Sequence, residues 1–413
     1  MRLSLRVGAL TGAAMLMLAG CGSNFGSSQS TQQDDSAQQH LTVMIASSAD
    51  AEATAVKRAV ARWEKRTGHT ATVQIAQDLG QQLGQSLAGG QPPDVFYVPS
   101  DLFANFAKGG SLHPYGASFP DADAFVEDLR ASFTHDGELV CVPKDSSTLA
   151  LAINTDLWHE AGLTDEDVPT TWKELRDVAG KLTRGKVTGL VMDATYQRIG
   201  AFMRQSGGWI TDQKQTRMTA DTPENARALR YVQQLLRDGS LKFPQDVDAG
   251  WGGEAFGRGR AAMTIEGNWL VGALEADFPE INYKVVELPA GPEGKGTLSF
   301  STCWGVAKKS AHHKAAVDLV AELTSPRSQL TFAKAFGVMP SRTDALDDYR
   351  KTFPEHRAFV DGASYARGPV TLPGFSKVLQ QFDSRLAELR TADPEKVLAE
   401  LQRNGEQSWQ GGR

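Results

Sequence analysis

Cysteine is scarce in this chain: Cys21, Cys141 and Cys303 are the only three in 413 residues. They form no CxxC pair and no Cys/His cluster at zinc spacing, so a zinc-stapled fold is excluded. Charge of one sign is also lacking, with 43 Lys+Arg against 49 Asp+Glu and a formal net charge of −6. A nucleic-acid binder would carry a basic stripe, so no nucleic-acid partner is expected. No apolar run approaches the 18 or so residues that span a bilayer. The eight histidines are scattered, and His312-His313 are adjacent, so they cannot share one helical face; no metal is expected. Seven tyrosines, placed singly, argue against an iron-anion site. A GxSxG elbow is missing, which disfavours a serine hydrolase. Gly294-Lys295-Gly296 fails as a phosphate loop, because Pro289 takes the first glycine position and Gly296 the Ser/Thr position. The 40 Gly and 18 Pro show no period, which excludes collagen-like and solenoid folds. No cofactor is expected.

What is present is an ordinary globular composition, 41% hydrophobic and 22% charged. At roughly 150 residues per domain the length fits two or three domains. Arg2 and Arg6 precede an apolar run, Val7 to Leu18, which is too short to span but fits a signal-peptide core. It ends in Leu18-Ala19-Gly20-Cys21, which resembles a bacterial lipobox; the alternative is a plain secretory signal with an incidental cysteine. Residues 1–20 then read as signal peptide and 21–40 as a lipidated Cys21 with a Ser/Gln/Gly-rich tether. This predicts an extracytoplasmic protein anchored by lipid to the bacterial cell membrane. Cys141 and Cys303 remain, either as a disulfide or as two buried thiols.

The body alternates strands and helices. Leu41–Ile45, Thr70–Ile75 and Val95–Val98 read as strands, with helices over 51–66 and 77–87. That order indicates βαβ units and a parallel sheet, whose ligands sit beyond the carboxyl ends of the strands. The spacing predicts further strands at Leu139–Pro143, Thr148–Ile153, a short one at Met263–Ile265, and one running from Leu298 to Lys308. Thr170 is placed to cap a helix from Trp172. Other helices are expected over 198–205, 223–237, 314–323, 328–335 and 375–389.

Several segments together resemble one family. They include Trp63-Glu64-Lys65-Arg66-Thr67-Gly68, Gly89-Gly90-Gln91-Pro92-Pro93-Asp94-Val95, Val142-Pro143-Lys144-Asp145 and Ile153-Asn154-Thr155-Asp156-Leu157-Trp158. Pro169-Thr170-Thr171-Trp172, Gln205-Ser206-Gly207-Gly208 and the run Gly257 to Trp269 complete the set. Their order and spacing are similar to the sugar-binding lipoproteins that feed bacterial ABC importers, the maltose-binding-protein-like group. The resemblance implies an α/β, two-lobe periplasmic-binding-protein fold of type II. It implies a first lobe of residues 41–144 plus 297–340 and a second of 148–290 plus 345–413, with crossings near Lys144–Thr148, Pro289–Leu298 and Pro340. Cys141 and Cys303 would then both flank the hinge, where a disulfide is plausible.

A sugar presents hydroxyls, which suit carboxylates and hydroxyls, and apolar C–H faces, which suit aromatic rings. Asp101 matches an acidic sugar contact of the family, or caps the helix that follows. Ser47 follows the first strand, while Asp145 and Ser147 lie at the first crossing, where Asp145 could instead cap a turn. Trp269 matches the family's stacking tryptophan. Trp251, among glycines, is a second stacking candidate. Trp304 either narrows the pocket or packs in the core, and Tyr196 and Trp209 bracket a helix facing the cleft. Trp63, Trp158 and Trp172 read as structural. Val98 stands where some relatives stack a tryptophan, which favours a ring arrangement other than that for a long linear maltodextrin.

Two rivals remain from the residues alone. A secreted glycosidase could use two of Asp101, Asp145 and Glu266, but nothing in the sequence raises one of their pKa values. A polyamine binder of the same fold would surround a cation with carboxylates. The expected function is a monomeric, non-enzymatic substrate-binding lipoprotein that captures a mono- or oligosaccharide and delivers it to ABC permease subunits.

Overall fold

The computed structural model describes residues 37–46 and 50–411. Residues 1–20, Cys21 and Ser47 lie outside the described residues. Thirteen strands follow one another along the chain. They are β1 (His40–Ala46), β2 (Thr70–Ala76), β3 (Val95–Pro99), β4 (Thr134–His135), β5 (Glu138–Leu139), β6 (Ser147–Asn154) and β7 (Thr188–Val191). After them come β8 (Leu241–Lys242), β9 (Ala261–Gly267), β10 (Tyr283–Val286), β11 (Thr297–Phe300), β12 (Thr302–Val306) and β13 (Ala366–Arg367).

A four-stranded sheet has the order β12-β3-β1-β2, with β1 parallel to β2 and β3 and β12 antiparallel at the edge. Its core gathers Val43, Val56, Trp63, Phe96 and Leu319, all shielded from solvent. The larger sheet runs β13-β11-β6-β9-β7-β8, with β10 also on β6. Leu149, Leu151 and Ile153 of β6 point into one core and Ala150 and Ala152 into the clusters on the other face. Being covered on both sides, β6 and β9 are apolar almost throughout, as a central strand requires.

The two sheets form two lobes, and the chain crosses between them three times. Ser146 bridges to Met339 and Pro143 to Cys303, which brings all three crossings side by side. The middle crossing is one residue long. β11 pairs with Ser147 and Thr148 in the larger sheet, and β12 pairs with β3 in the smaller one, separated only by Ser301. A continuous strand from Leu298 to Lys308 is therefore corrected to two strands in different sheets, and residues 297–300 lie with the larger sheet.

Local chemistry explains other differences. The helix Trp172–Leu182 is capped by Thr171, whose hydroxyl accepts the Glu174 N–H, while Thr170 donates its N–H and hydroxyl to the Glu174 carboxylate. Two adjacent threonines leave the cap ambiguous in sequence; the reciprocal bond to Glu174 decides it. Leu139–Pro143 is not a strand: Leu139 ends the β4–β5 hairpin and Pro143 makes only an isolated bridge. β9 spans seven residues and sits between β6 and β7, longer than the three-residue strand expected.

Cys141 and Cys303 are joined by a disulfide, with their Cα atoms 5.7 Å apart. It closes a loop across 162 positions that contains much of the second lobe. A cross-link of that span removes a large part of the unfolded chain's freedom. Reduction, or the double substitution Cys141→Ser with Cys303→Ser, is expected to lower unfolding free energy by about 2–4 kcal/mol. Urea denaturation with and without reductant checks this, and coincident transitions would remove the bond from the stability of the fold.

Candidate functional site

Strand direction brings the candidate residues to one junction. The carboxyl ends of β7 and β9 and the amino end of β6 share one edge of the larger sheet, because β7 is parallel and β6 antiparallel to β9. That edge carries Asp193, Glu266, Trp269 and Ser147. The carboxyl end of β3 leads into the helix Ser100–Lys108, which carries Asp101. The two walls touch where the Ser376 hydroxyl donates to the Asp101 carbonyl and the Gly374 N–H donates to Asn105 Oδ1 at 2.8 Å.

On the second lobe an aromatic and ionic cluster is built around Trp269. Glu266 is 1% exposed and accepts from Arg198 at 2.6 Å and from the Trp269 indole N–H at 3.1 Å, all on Oε2. The Arg198 guanidinium lies over the Trp269 ring, 5.2 Å from its centroid, and Phe300 meets the ring edge-on at 5.4 Å. Gly267 makes this possible, since a Cβ there would stand 2.2 Å from the indole. Gly252 likewise gives way to Glu266, whose Oε1 would meet a Cβ at 2.9 Å. Trp251 precedes that glycine and remains half-buried, as does Trp269.

Polar atoms in this wall are left over. Among the described residues Arg198 Nε and Thr195 Oγ1 are buried without a hydrogen-bond partner. Buried polar groups are normally paired, so two orphans three residues apart along the chain mark a place where a hydroxylated ligand could complete the bonding. Tyr196 also anchors the wall: its N–H donates to Asp383 at 2.6 Å, and its phenol is pushed up by burial and by the charge of Asp101. Burial raises the Asp101 carboxyl as well. Asp101 lies in the first turn of its helix, whose cap position is Pro99, so it is not the cap.

The other candidates are already engaged or lie apart from this wall. Asp145 is tied to Lys144 at 2.6 Å at the first crossing. The Ser147 hydroxyl already accepts the Asn268 N–H. Trp304 is corrected from a possible pocket wall to the core of the first lobe: it is 0% exposed and packs edge-on to Tyr97. Trp209 is buried and lies against Gly200, with one side on a cavity at the lobe junction. Trp63, Trp158 and Trp172 are core residues. Arg198, Asp193, Phe300 and Asp383 were not singled out from sequence; one signal for Arg198 was a charged residue on the inward, apolar side of its helix. Among the described residues no group of three or more His, Cys, Asp or Glu could hold a metal, and no helix is long and apolar enough to cross a membrane.

Burial lifts the Glu266 carboxyl to about 7, against the pull of Arg198 and with a push from Asp193. Burial likewise lifts Asp383 to about 6. A raised native carboxyl keeps its proton where the unfolded chain has lost it, so stability falls as pH rises from about 4.5 to 7 for Glu266 and from about 3.8 to 6 for Asp383. Glu266→Gln is expected to flatten the fall in Tm between pH 5 and about 7. Thermal melts across that range check it, and an unchanged slope would take Glu266 out of the titration.

Comparison with known proteins agrees with this architecture. An ABC substrate-binding protein of Listeria monocytogenes, solved with cycloalternan, superposes with a TM-score of 0.82 at 22% identity, covering 91% of this chain and 100% of that one. The GacH receptor of Streptomyces glaucescens, solved unliganded and with acarbose, gives 0.82 at 21% identity, covering 91% and 99%. These likenesses establish the type II two-lobe periplasmic-binding fold. An sn-glycerol-3-phosphate-binding periplasmic protein of Pectobacterium atrosepticum is 23% identical over 65% of this chain and 65% of its own length. The model of the family described as bacterial extracellular solute-binding protein matches residues 58–359. The chain belongs to the bacterial extracellular solute-binding proteins, a family that captures solutes outside the cytoplasm and does not transform them.

Proposed function

We propose that this protein captures a mono- or oligosaccharide between its lobes and delivers it to the permease subunits of an ABC importer, held at the membrane through a lipid on Cys21. The observation that carries the reading is the Trp269 wall: a half-buried indole fixed by Phe300 and Glu266, beside orphaned buried hydrogen-bonding atoms. A ring face against an indole and hydroxyls against Tyr196, Arg198 and Glu266 is the pairing that a sugar requires. Asp101 of the first lobe bears on the Tyr196 phenol of this wall, and Trp251 is a second stacking candidate. The related proteins solved with cycloalternan and acarbose support a carbohydrate ligand. In this reading the first lobe comprises 41–144 and the return segment to 340, the second 148–290 and 345–413, and the protein works as a monomer. Ligand bound to both lobes shifts the population toward the closed form, which the permease accepts.

Isothermal titration against neutral mono- and oligosaccharides tests the proposal. At least one is expected to bind and to be recovered intact, and silence toward every carbohydrate would overturn it. Trp269→Ala is expected to weaken the bound sugar by about tenfold or more, about 1.4 kcal/mol, with Tm little changed. Unaltered affinity would remove Trp269 from the site.

A further inference from the structure

The short strand β11 looks onto two separate spaces. Phe300 packs on Trp269 at the proposed sugar wall. Ser299, one residue earlier, points the opposite way, as successive strand residues do, and with its cross-strand partner Thr148 it lines a cavity of about 880 Å³. Trp269, Glu266, Arg198 and Tyr196 are not among the residues that line it. The segments 126–132 and 363–372 enclose it from two sides, with Met339 and Pro340 of the third crossing between them. Those sides meet closely, for a Cβ on Gly368 would lie 3.6 Å from the Ser132 hydroxyl.

The charge of this cavity is opposite to that of the protein. Five cationic side chains line it, Arg204, Lys214, Lys295, Arg350 and Arg367, against one carboxylate, Asp128, whereas the chain as a whole carries −6. Lys214 is exposed, and Lys295 and Arg350 have carboxylate partners in Glu287 and Asp347. Arg204 and Arg367 differ. Among the described residues neither guanidinium lies in an ion pair. Arg204 donates through Nη1 to the Gly208 carbonyl, and Arg367 through Nη2 to the carbonyls of Asp212 and Gln213. Burial depresses the pKa of both, and the charge of Arg367 depresses that of Arg204 further. Asp212 and Asp128 act on Arg367 from a distance without pairing. Arg204 Nε and the hydroxyl of Thr211, a residue 2% exposed, are buried at the cavity wall without partners. Capping carbonyls therefore occupies only part of what these two side chains offer. Two cations held near each other against burial and mutual repulsion, with unfilled donors beside them, are the arrangement that an oxyanion completes.

We infer that this cavity holds a site for a small tetrahedral oxyanion, phosphate or sulfate, on Arg204 and Arg367 with the Thr211 hydroxyl as a further donor, on the far side of β11 from Trp269 and separate from the cargo site. The ion is a resident of the junction and is not transported. It goes beyond the carbohydrate reading and does not depend on it. A planar guanidinium meets two oxygens of such an ion at once, which an ammonium cannot reproduce. Asp128 competes for the same charge: it is the one carboxylate on the lining and already acts on Arg367.

The test is titration calorimetry of the purified protein with sodium phosphate and sodium sulfate, against sodium chloride at matched ionic strength. At least one of the two oxyanions is expected to bind saturably with one ion per chain, and chloride is not. Arg367→Gln and Arg204→Gln are each expected to weaken that binding about tenfold or more, and Arg367→Lys to restore only part of it. Asp128→Asn is expected to tighten it about two- to fivefold, the range of a solvent-screened charge pair. Should an arginine variant not fold, Asp128→Asn and the unaltered protein decide the matter. Absence of saturable binding by both oxyanions overturns the inference, as does binding that survives both glutamine variants or that Asp128→Asn weakens. Full displacement of the ion by a bound sugar places the two in one site and also overturns it. If a sugar binds and neither oxyanion does, the inference falls and the carbohydrate reading stands. If an oxyanion binds through Arg367 and no carbohydrate binds, the carbohydrate reading falls and the anion site stands.

Discussion

The charge of Lys144 holds the architecture in register. Its ammonium is buried at the first crossing and lies 2.9 Å from Glu52 and 2.6 Å from Asp145. Burial works against that charge, but the two carboxylates overcome it and hold the ammonium above lysine's ordinary range. The Tyr97 hydroxyl donates to Glu52, and the ammonium lies 4.5 Å from the Tyr97 ring. The main chain of Lys144 donates to Thr302 across the second crossing and accepts from Gln329 near the third. One residue therefore ties the first helix, β3 and all three crossings. Removing either carboxylate would leave a buried charge short of a partner, a loss of about 3–5 kcal/mol in comparable sites. The point at which the chain leaves the first lobe is thus fixed electrostatically, and the facing of the two walls depends on it.

Once the crossings are fixed, the junction has two chemistries along its length. Around Trp269 the wall combines aromatic surface with Glu266, which pairs with Arg198 and feels the charge of Asp193. Toward β13 the lining turns basic, with Arg204 and Arg367 facing the cavity.

Much of the fold was legible because it is local. The strand–helix alternation from β1 to β3, the short apolar run of β7 and the helix from Pro223 follow from periodicity and caps, and the order of weak segments identified the family. Trp269 became a stacking candidate through the resemblance to the family, at a position just after the apolar strand β9. What escaped depended on distance along the chain. Arg204 and Arg367 are ordinary helix and strand residues until a 13-stranded topology sets them on one cavity. Arg198 and Glu266 meet only because β9 lies beside β7. The split of residues 297–306 between two sheets was hidden because both strands share one apolar pattern and only Ser301 separates them. Trp304 looked like a site residue because sequence cannot say which face of an edge strand turns inward; pairing with β3 puts its indole under Tyr97.

At the rim of the junction the two lobes touch lightly. Gly374 and Ser376 meet Asn105 and Asp101 through hydrogen bonds of 2.8, 3.2 and 3.5 Å among polar, partly exposed groups. Such bonds contribute about 0.5–1.5 kcal/mol each, and the longest of them least. They are enough to select a docking geometry but too weak to hold two lobes shut against the entropy of opening. A ligand that bonds to both walls supplies the difference, since an equilibrium moves only by the ligand's differential affinity for its two states. In the proposed reading, groups on opposite lobes, such as Asp101 and Glu266, therefore matter more to closure than groups of equal strength on one lobe. The rigid element in this design is the crossing at Lys144, and the adjustable element is the rim.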